Sequence, residues 1–322
     1  MIKVKNLVKR FGSNYAVNDI SFEIGEGEIV GLLGPNGAGK STTMNILTGY
    51  LSSTSGEVHI NGIDISEDPI RAKRCIGFLP EQPPLYPDMT VTEYLNFVYD
   101  LKRCELPRGP HLDEIISVVK LGEVKNRLIK NLSKGNKQRV GIAEALVGDP
   151  KVIIFDEPTI GLDPKQVIAV RNLMRTLAKS HTVILSTHIL AEVQSVCERI
   201  IIINKGKIIA DERTADIVKT IEDGYRCKVK ICGPEREVLP ALRKINGVKN
   251  AESTGERDLD SVAYVIESDS GVDVRKAIFS TAAQKNWPII GMEAVGTDLE
   301  SVFIRLVDRS DGVTDGKKRR KK

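Results

Sequence analysis

The sequence has no long apolar run. Nothing in its 322 residues approaches the roughly 20 consecutive apolar residues that a membrane-spanning helix requires. The first seven residues, MIKVKNL, alternate between apolar and polar side chains, which indicates a strand rather than a signal peptide. If the protein works at a membrane, we expect other chains to supply the membrane-spanning segments.

Cysteine is also sparse. The five cysteines are scattered along the chain and form no C-x-x-C pair. An odd number without the spacing of metal ligands argues against a disulfide framework and against a zinc site. We therefore expect reduced thiols, as in a cytoplasmic protein.

An excess of basic residues is confined to one end of the chain. The last six residues, KKRRKK, outweigh the whole net charge of +4, so the remainder of the chain has a slight negative balance. Because basicity belongs to a tail, it does not mark a nucleic-acid-binding face on the folded body. We expect no specific nucleic acid partner.

What the sequence does contain is a glycine-rich loop, GPNGAGKST at residues 34–42, which fits G-x-x-x-x-G-K-[ST]. The apolar run 28–33 before it predicts a buried parallel strand, and residues 41–47 after it can form a helix. Glycines let backbone N–H groups face a polyanion, Lys40 can reach the outer phosphates, and the Ser41 hydroxyl can ligate Mg²⁺. The flanking strand and helix disfavour the alternative, a glycine-rich turn without a ligand. The chain is predicted to bind a nucleoside triphosphate.

A second apolar run, residues 152–157, ends in two carboxylates. Asp156 is placed to hold Mg²⁺, and Glu157 is placed to orient or deprotonate an attacking water. His188 follows a further predicted strand, 182–186, at the sheet edge where open α/β sheets bind ligands. We therefore favour a γ-phosphate contact for His188 over a purely structural role.

Residues from about 86 to 148 predict an all-helical insertion between two halves of the sheet. Thr90 and Glu93 fit a capping box, and Ser133 fits a helix N-cap. Gly135 lets a ligand approach the backbone closely. Near the N-terminus, Phe11 and Tyr15 are predicted to lie in the loop after the first strand, where an aromatic ring could stack on a nucleobase or pack at an edge.

Together these motifs resemble the nucleotide-binding subunit of an ABC transporter over residues 1 to about 215. Residues 34–42 resemble its Walker A loop, 152–157 its Walker B strand, 132–136 (LSKGN) its signature, and 161–163 its D-loop. Many NTPases share the phosphate loop, whereas the full set is specific to this family. The resemblance implies three catalytic residues, Lys40, Glu157 and His188, and two Mg²⁺ ligands, Ser41 and Asp156. It implies that Ser133, Gly135 and Asp163 act on the nucleotide of the opposing subunit. The implied nucleotide contacts are Phe11, Asn36, Gly37, Ala38, Gly39, Lys40, Ser41 and Thr42.

Two positions depart from the usual pattern of the family. The signature reads LSKGN instead of LSGGQ, so Lys134 replaces a glycine and Asn136 a glutamine. The Q-loop position falls on Glu81 with Gln82 beside it, and either could couple Mg²⁺ to a transmembrane partner. Both departures are similar to cassettes of the drug, sodium and gliding-type export class.

The resemblance also implies partners and a location. Two cassettes would form a head-to-tail homodimer that encloses two ATP molecules with Mg²⁺. The helical insertion and the loop 81–86 would receive the cytoplasmic ends of helices from integral membrane permease subunits on separate chains. The chain would then be an ATPase that powers export from the cytoplasmic face of the membrane.

The expected fold class is α/β, a P-loop NTPase of the ABC cassette type (residues 1–218) with a helical subdomain. A small α+β domain follows at 225–308. Its predicted elements have the order β-α-β-β-α-β, which predicts a ferredoxin-like module. The last strand of that order is 288–295, and a further predicted helix, 297–307, follows it. By analogy it would serve dimerisation or regulation. Residues 309–322 predict a disordered basic tail that either is attracted to anionic lipid or is simply solvated.

Two other functions remain to be weighed. A soluble ABC ATPase that acts on ribosomes or DNA is disfavoured, since the chain has one cassette, no long coiled coil and no zinc cysteines. A small-molecule P-loop kinase would leave residues 132–136 and the turn at Asp163 unexplained.

Overall fold

A computed structural model describes residues 1–217, 226–258, 260–269 and 272–294, together with Phe303 and Val307. These residues divide into two compact units, one formed by Met1–Thr214 and one by residues between Ala215 and Arg309. The predicted domain boundary at 218–225, the predicted helix 297–307 except for two residues, and the predicted tail 309–322 lie outside the described residues. Across the described ranges, no helix is both long enough and apolar enough to cross a membrane.

The elements of the first unit alternate between strands and helices. In chain order they are β1 (Ile2–Phe11), β2 (Asn14–Ile24), β3 (Ile29–Leu33), α1 (Lys40–Leu47), β4 (Ser55–Ile60), β5 (Ile63–Asp64), α2 (Pro69–Arg74), β6 (Ile76–Leu79), α3 (Val91–Leu101), α4 (Arg108–Val118), α5 (Lys134–Leu146), β7 (Val152–Asp156), α6 (Pro164–Leu177), β8 (Thr182–Thr187), α7 (Leu190–Val196), β9 (Arg199–Asn204) and β10 (Lys207–Arg213).

A six-stranded sheet forms the centre of this unit. Its spatial order is β10-β9-β3-β8-β7-β6, and all neighbours are parallel except β10, which runs antiparallel to β9. Every residue of β3, β7 and β8 is buried. Their continuous apolar runs suit a parallel sheet that is covered on both faces, because neither face can then carry exposed polar side chains.

A second, antiparallel sheet has the order β2-β1-β4-β5. Here the predicted loop position of Phe11 and Tyr15 is wrong. The first two strands continue to a turn at residues 12–13, and Phe11 pairs with Asn14 while Arg10 pairs with Tyr15. Gly12 adopts a φ of +57°, a left-handed conformation that lets the chain reverse within two residues. The polar sequence around Phe11 is therefore an exposed hairpin end.

Helices α3, α4 and α5, with two 3₁₀ turns, lie in the chain between β6 and β7. The capping box at α3 is present: Thr90 Oγ1 accepts from the Glu93 N–H at 3.2 Å, and the Glu93 carboxylate accepts from the Thr90 N–H at 2.8 Å. Ser133 caps α5 by accepting from the Asn136 N–H at 3.3 Å. Local capping chemistry thus sets both helix starts.

The second unit contains β11 (Arg226–Cys232), α8 (Glu235–Arg243), β12 (Val248–Asp258), β13 (Ser261–Ser268), α9 (Arg275–Gln284) and β14 (Ile289–Ala294). Its antiparallel sheet has the order β12-β13-β11-β14. Alternate residues of β11 and β13 pack against Leu242 and Ile278 of the two helices. The described part of the unit therefore has the β-α-β-β-α-β arrangement of a ferredoxin-like module.

Candidate functional site

The glycine-rich loop packs closely against the backbone of β9 and β2. A Cβ at Gly34 would lie 2.3 Å from the Ile203 carbonyl oxygen of β9, and one at Gly39 would lie 2.4 Å from the Ala16 carbonyl oxygen of β2. Gly39 also has a φ of +110° and forms the N-cap of α1. Only glycine fits both positions. Because the first N–H groups of a helix have no intrahelical partner, this loop presents the positive end of α1 to an anion.

Lys40 lies at the first turn of α1 with only 6% of its surface exposed. Its ammonium donates to the Gly34 carbonyl at 2.7 Å and to the Pro35 carbonyl at 3.3 Å. Burial lowers the pKa of Lys40, and the nearby carboxylates of Glu157 and Asp156 partly offset that change. The loop therefore holds a desolvated cation that faces two acids.

Asp156 and Ser186 lie side by side at the carboxyl edge of the sheet. They are register partners in β7 and β8, so their side chains lie on one face. Ile154 and Ile184, two residues earlier in each strand, pack in the cluster that contains Met44 of α1. Asp156 Oδ1 and Ser186 Oγ are buried, and neither has a hydrogen-bond partner among the described residues. Such orphan groups are costly, which points to a ligand at this position.

Glu157 directly follows β7 and is paired with His188. Its backbone N–H donates to the Ser186 carbonyl at 2.9 Å, and its φ of +49° turns the chain away from the strand. His188 Nδ1 donates to Glu157 Oε1 at 2.9 Å. The carboxylate is buried, whereas the imidazole is partly exposed. The structure thus joins an acid and a histidine at the sheet edge beside Lys40.

The predicted signature contacts the predicted D-loop of the same chain. The side-chain amide of Gln166 packs directly on Gly135, and the Lys134 ammonium lies over the Cα of Gly161. Asp163 caps α6 by accepting from the Gln166 N–H at 2.9 Å. This chain's own contacts therefore place Gly135 and Asp163 beside the start of α6.

Phe11, Glu81 and Gln82 are exposed. The Phe11 ring is about half exposed, and the Lys9 ammonium lies 5.1 Å from its centroid. Glu81 and Gln82 follow β6 in an exposed loop. In the same loop, the Tyr86 ring packs on Phe97 of α3 with centroids 5.2 Å apart. Base stacking by Phe11 and coupling by Glu81 or Gln82 stay predictions.

Sequence reasoning missed the acid that lies behind the Glu157–His188 pair. Glu192 of α7 is 99% buried and accepts hydrogen bonds from Thr159 and Thr187. The available signal is its spacing: Glu192 lies four residues before Val196, and both belong to the buried face of α7.

Comparison with known proteins decides the family. The ABC transporter family model matches residues 17–160. The linearmycin resistance ATP-binding protein LnrL of Bacillus subtilis (strain 168) is 31% identical over 314 residues, which cover 96% of this chain and 99% of LnrL. The chain belongs to the ATP-binding subunits of ABC transporters. This ABC subunit is also 36% identical to the bacitracin transport ATP-binding protein BcrA of Bacillus licheniformis, over 66% of the chain and 69% of BcrA.

Solved structures agree with that assignment. An ATP-binding subunit of an ABC transporter matches with a TM-score of 0.62 and 31% identity, over 68% of this chain and 92% of that one. The cassette MJ0796, solved as a dimer in a post-hydrolysis state with ADP and phosphate, matches with a TM-score of 0.61 and 31% identity, over 66% and 99%. The ABC subunit therefore has the P-loop NTPase fold, binds ATP and is an ATPase. ATP-binding subunits of ABC transporters dimerise and pair with membrane permeases.

Proposed function

We propose that this ABC subunit hydrolyses ATP between two copies of the chain and thereby powers a separate export permease at the cytoplasmic face of a membrane. One observation carries the proposal. The Glu157–His188 pair lies at the sheet edge beside the buried ammonium of Lys40, directly under a loop that is shaped to bind phosphate. This arrangement supports an anion site that is surrounded by a base, a proton donor and a cation.

Each group has a separate role in that site. The loop residues Asn36, Gly37, Ala38 and Gly39, with Lys40, Ser41 and Thr42, would bind the phosphates, and Phe11 would stack on the base. Glu157 would orient and deprotonate the attacking water, because its carboxylate is fixed and points to the sheet edge. His188 would hold Glu157 in place through Nδ1 and contact the γ-phosphate through Nε2.

The residues at this edge fit a magnesium ion. Mg²⁺ prefers oxygen ligands, and the buried Asp156 Oδ1 has no hydrogen-bond partner among the described residues. Asp156 and the Ser41 hydroxyl would hold the ion. When bound, it would neutralise negative charge on the phosphates.

The second copy would complete the site. Ser133 and Gly135 lie at the N-terminus of a 13-residue helix, α5, where N–H groups favour an anion. The dimer of the similar cassette MJ0796 supports an arrangement in which Ser133, Gly135 and Asp163 act on the partner's nucleotide. Glu81 or Gln82 would couple that site to the permease.

The names of relatives support export. LnrL is a linearmycin resistance protein, and BcrA and the lantibiotic transport ATP-binding protein SrtF of Streptococcus pyogenes are similar over two thirds of this chain. Alignment with LnrL covers 96% of the chain and therefore extends into the second unit. We assign that unit to dimerisation or regulation, since it has no part in the site described above.

Size-exclusion chromatography of Glu157→Gln tests the proposal. Without a base, bound ATP should persist and hold two copies together, so this variant should elute as a dimer in ATP and as a monomer without it. A second substitution, Lys40→Ala, should abolish the ATP-dependent dimer because it removes the phosphate contact. A Glu157→Gln variant that binds ATP yet stays monomeric would contradict the shared site.

A further inference from the structure

A buried carboxylate joins the two loops that carry Glu157 and His188. Glu192 is 99% buried on α7. One of its oxygens accepts from the Thr159 hydroxyl, and the other accepts from the Thr187 hydroxyl at 2.9 Å. Thr159 lies two residues after Glu157, and Thr187 directly precedes His188. One side chain therefore ties both loops to α7.

The charge of Glu192 is compensated inside the fold. Arg171 of α6 approaches Glu192 Oε1 with its Nη2 at 3.9 Å. Both carboxylate oxygens of Glu192 also accept hydrogen bonds, and a buried carboxylate requires such partners to offset its loss of hydration. Both oxygens thus act as acceptors, and a buried acid of this cost calls for a function beyond packing.

The Thr187 hydroxyl lies between two carboxylates. Its oxygen is 2.9 Å from Glu192 Oε2 and 3.4 Å from Glu157 Oε2. The same oxygen accepts from the Ile189 N–H at 3.1 Å, which fixes its position. A hydroxyl has only one hydrogen to donate, so it can serve only one of the two acids. The shorter distance assigns that hydrogen to Glu192.

We propose that Glu192 is a positioning residue for ATP hydrolysis, which keeps the Thr187 hydrogen engaged so that Oε2 of Glu157 stays open to the attacking water. Without Glu192, the Thr187 hydroxyl turns to Glu157 and takes one of the two lone-pair positions of Oε2, which weakens that oxygen as a proton acceptor. His188 already occupies the other oxygen of Glu157. The inference rests on the proposed role of Glu157 and extends it to a residue that does not touch the nucleotide.

Steady-state hydrolysis of Glu192→Ala tests this role. Diverting one hydrogen bond onto Glu157 should lower kcat by about fivefold with an unchanged KM, which corresponds to about 1 kcal/mol, the free energy of one such bond. Adding Thr187→Val should restore most of the lost kcat, because valine fills the same space and has no hydrogen to donate. A role in folding alone would not be rescued by a second substitution.

Two further variants keep the test decisive. Glu192→Gln retains the side-chain volume if Glu192→Ala does not fold, and it too should lower kcat, because its amide cannot accept from both threonines. Glu144→Gln is the matched control, a partly buried glutamate that accepts from the Tyr94 hydroxyl at 2.6 Å in the helical insertion, and it should leave kcat unchanged.

Glu157→Gln, measured alongside, separates the two proposals. If Glu157→Gln turns over ATP normally, the proposed role of Glu157 fails. The positioning role of Glu192 is overturned, and the proposed function stands, under either of two results obtained with an inactive Glu157→Gln. In the first, the folded variants Glu192→Ala and Glu192→Gln keep full kcat. In the second, adding Thr187→Val gives no rescue.

Discussion

Lys102, which follows α3, holds the C-terminal end of the signature helix α5. Its ammonium donates to the carbonyls of Glu144 at 2.7 Å and Val147 at 3.0 Å, among the last carbonyls of that helix. The last carbonyls of a helix lack the full set of intrahelical donors, and here the Glu144 carbonyl accepts from the C-cap Val147 N–H at 3.3 Å in addition to Lys102. A cation at this end also interacts favourably with the helix dipole. Even so, burial lowers the pKa of Lys102 to about 8. The negative charge of Glu144 raises this pKa and so offsets part of the effect of burial.

The lowered pKa makes stability depend on pH in a defined direction. In the unfolded chain this lysine keeps its proton up to about pH 10.5, so between pH 8 and 10.5 the unfolded state binds more protons than the folded state. The free energy of unfolding therefore rises with pH over this window, and the cost of burying the charge is fully present below pH 8. From pH 7 to 9.5 the gain due to Lys102 should be about 2 kcal/mol.

Urea denaturation of the full chain and of Lys102→Met, followed by far-UV circular dichroism at pH 7, 8, 9 and 9.5, measures this gain. The wild type minus variant difference should rise by about 2 kcal/mol across the series. The single tryptophan, Trp287, lies in the second unit, so its fluorescence follows the unfolding of that unit. Parallel pH curves for the two proteins would refute the account of Lys102 as a buried cation.

Two further predictions concern local backbone chemistry. Gly39→Ala should destabilise the first unit by more than about 2 kcal/mol, because its φ is +110° and its Cβ would overlap the Ala16 carbonyl oxygen. The control Gly37→Ala has a φ of +79° but open space around the new Cβ, and it should cost about 1 kcal/mol. Equal losses in urea denaturation would show that contact with β2 does not matter. Thr90→Ala should cost about 1 kcal/mol, because it removes the side-chain acceptor of the capping box of α3; an unchanged urea midpoint would contradict that role.

The sequence predicts most of the central sheet and the edge that carries Asp156, Glu157 and His188. Strands β3 and β7 are read correctly because they are buried on both faces and so are apolar apart from Asp156, the last residue of β7. The edge residues Asp156 and His188 follow from the rule that parallel strands end on one side of the sheet. Such features depend on a few adjacent residues, which a single sequence displays.

Other features depend on contacts between distant residues. The hairpin end at Phe11 is exposed and polar, so it lacks the alternation that identifies a half-buried strand. Glu192 resembles an ordinary surface glutamate until the fold brings Thr159, which is 33 residues earlier, against it. The roles proposed for Ser133 and Gly135 would depend on a second chain, and one sequence alone does not display such a contact.

The rate of phosphate release by the purified chain, compared with that of Glu157→Gln at saturating ATP, tests the central claim most directly. If Glu157 is the base, the variant should bind ATP with unchanged affinity and release phosphate on the order of 10²–10⁴ times more slowly. Equal rates in the two proteins would contradict the claim that Glu157 performs the chemistry at the edge of this sheet.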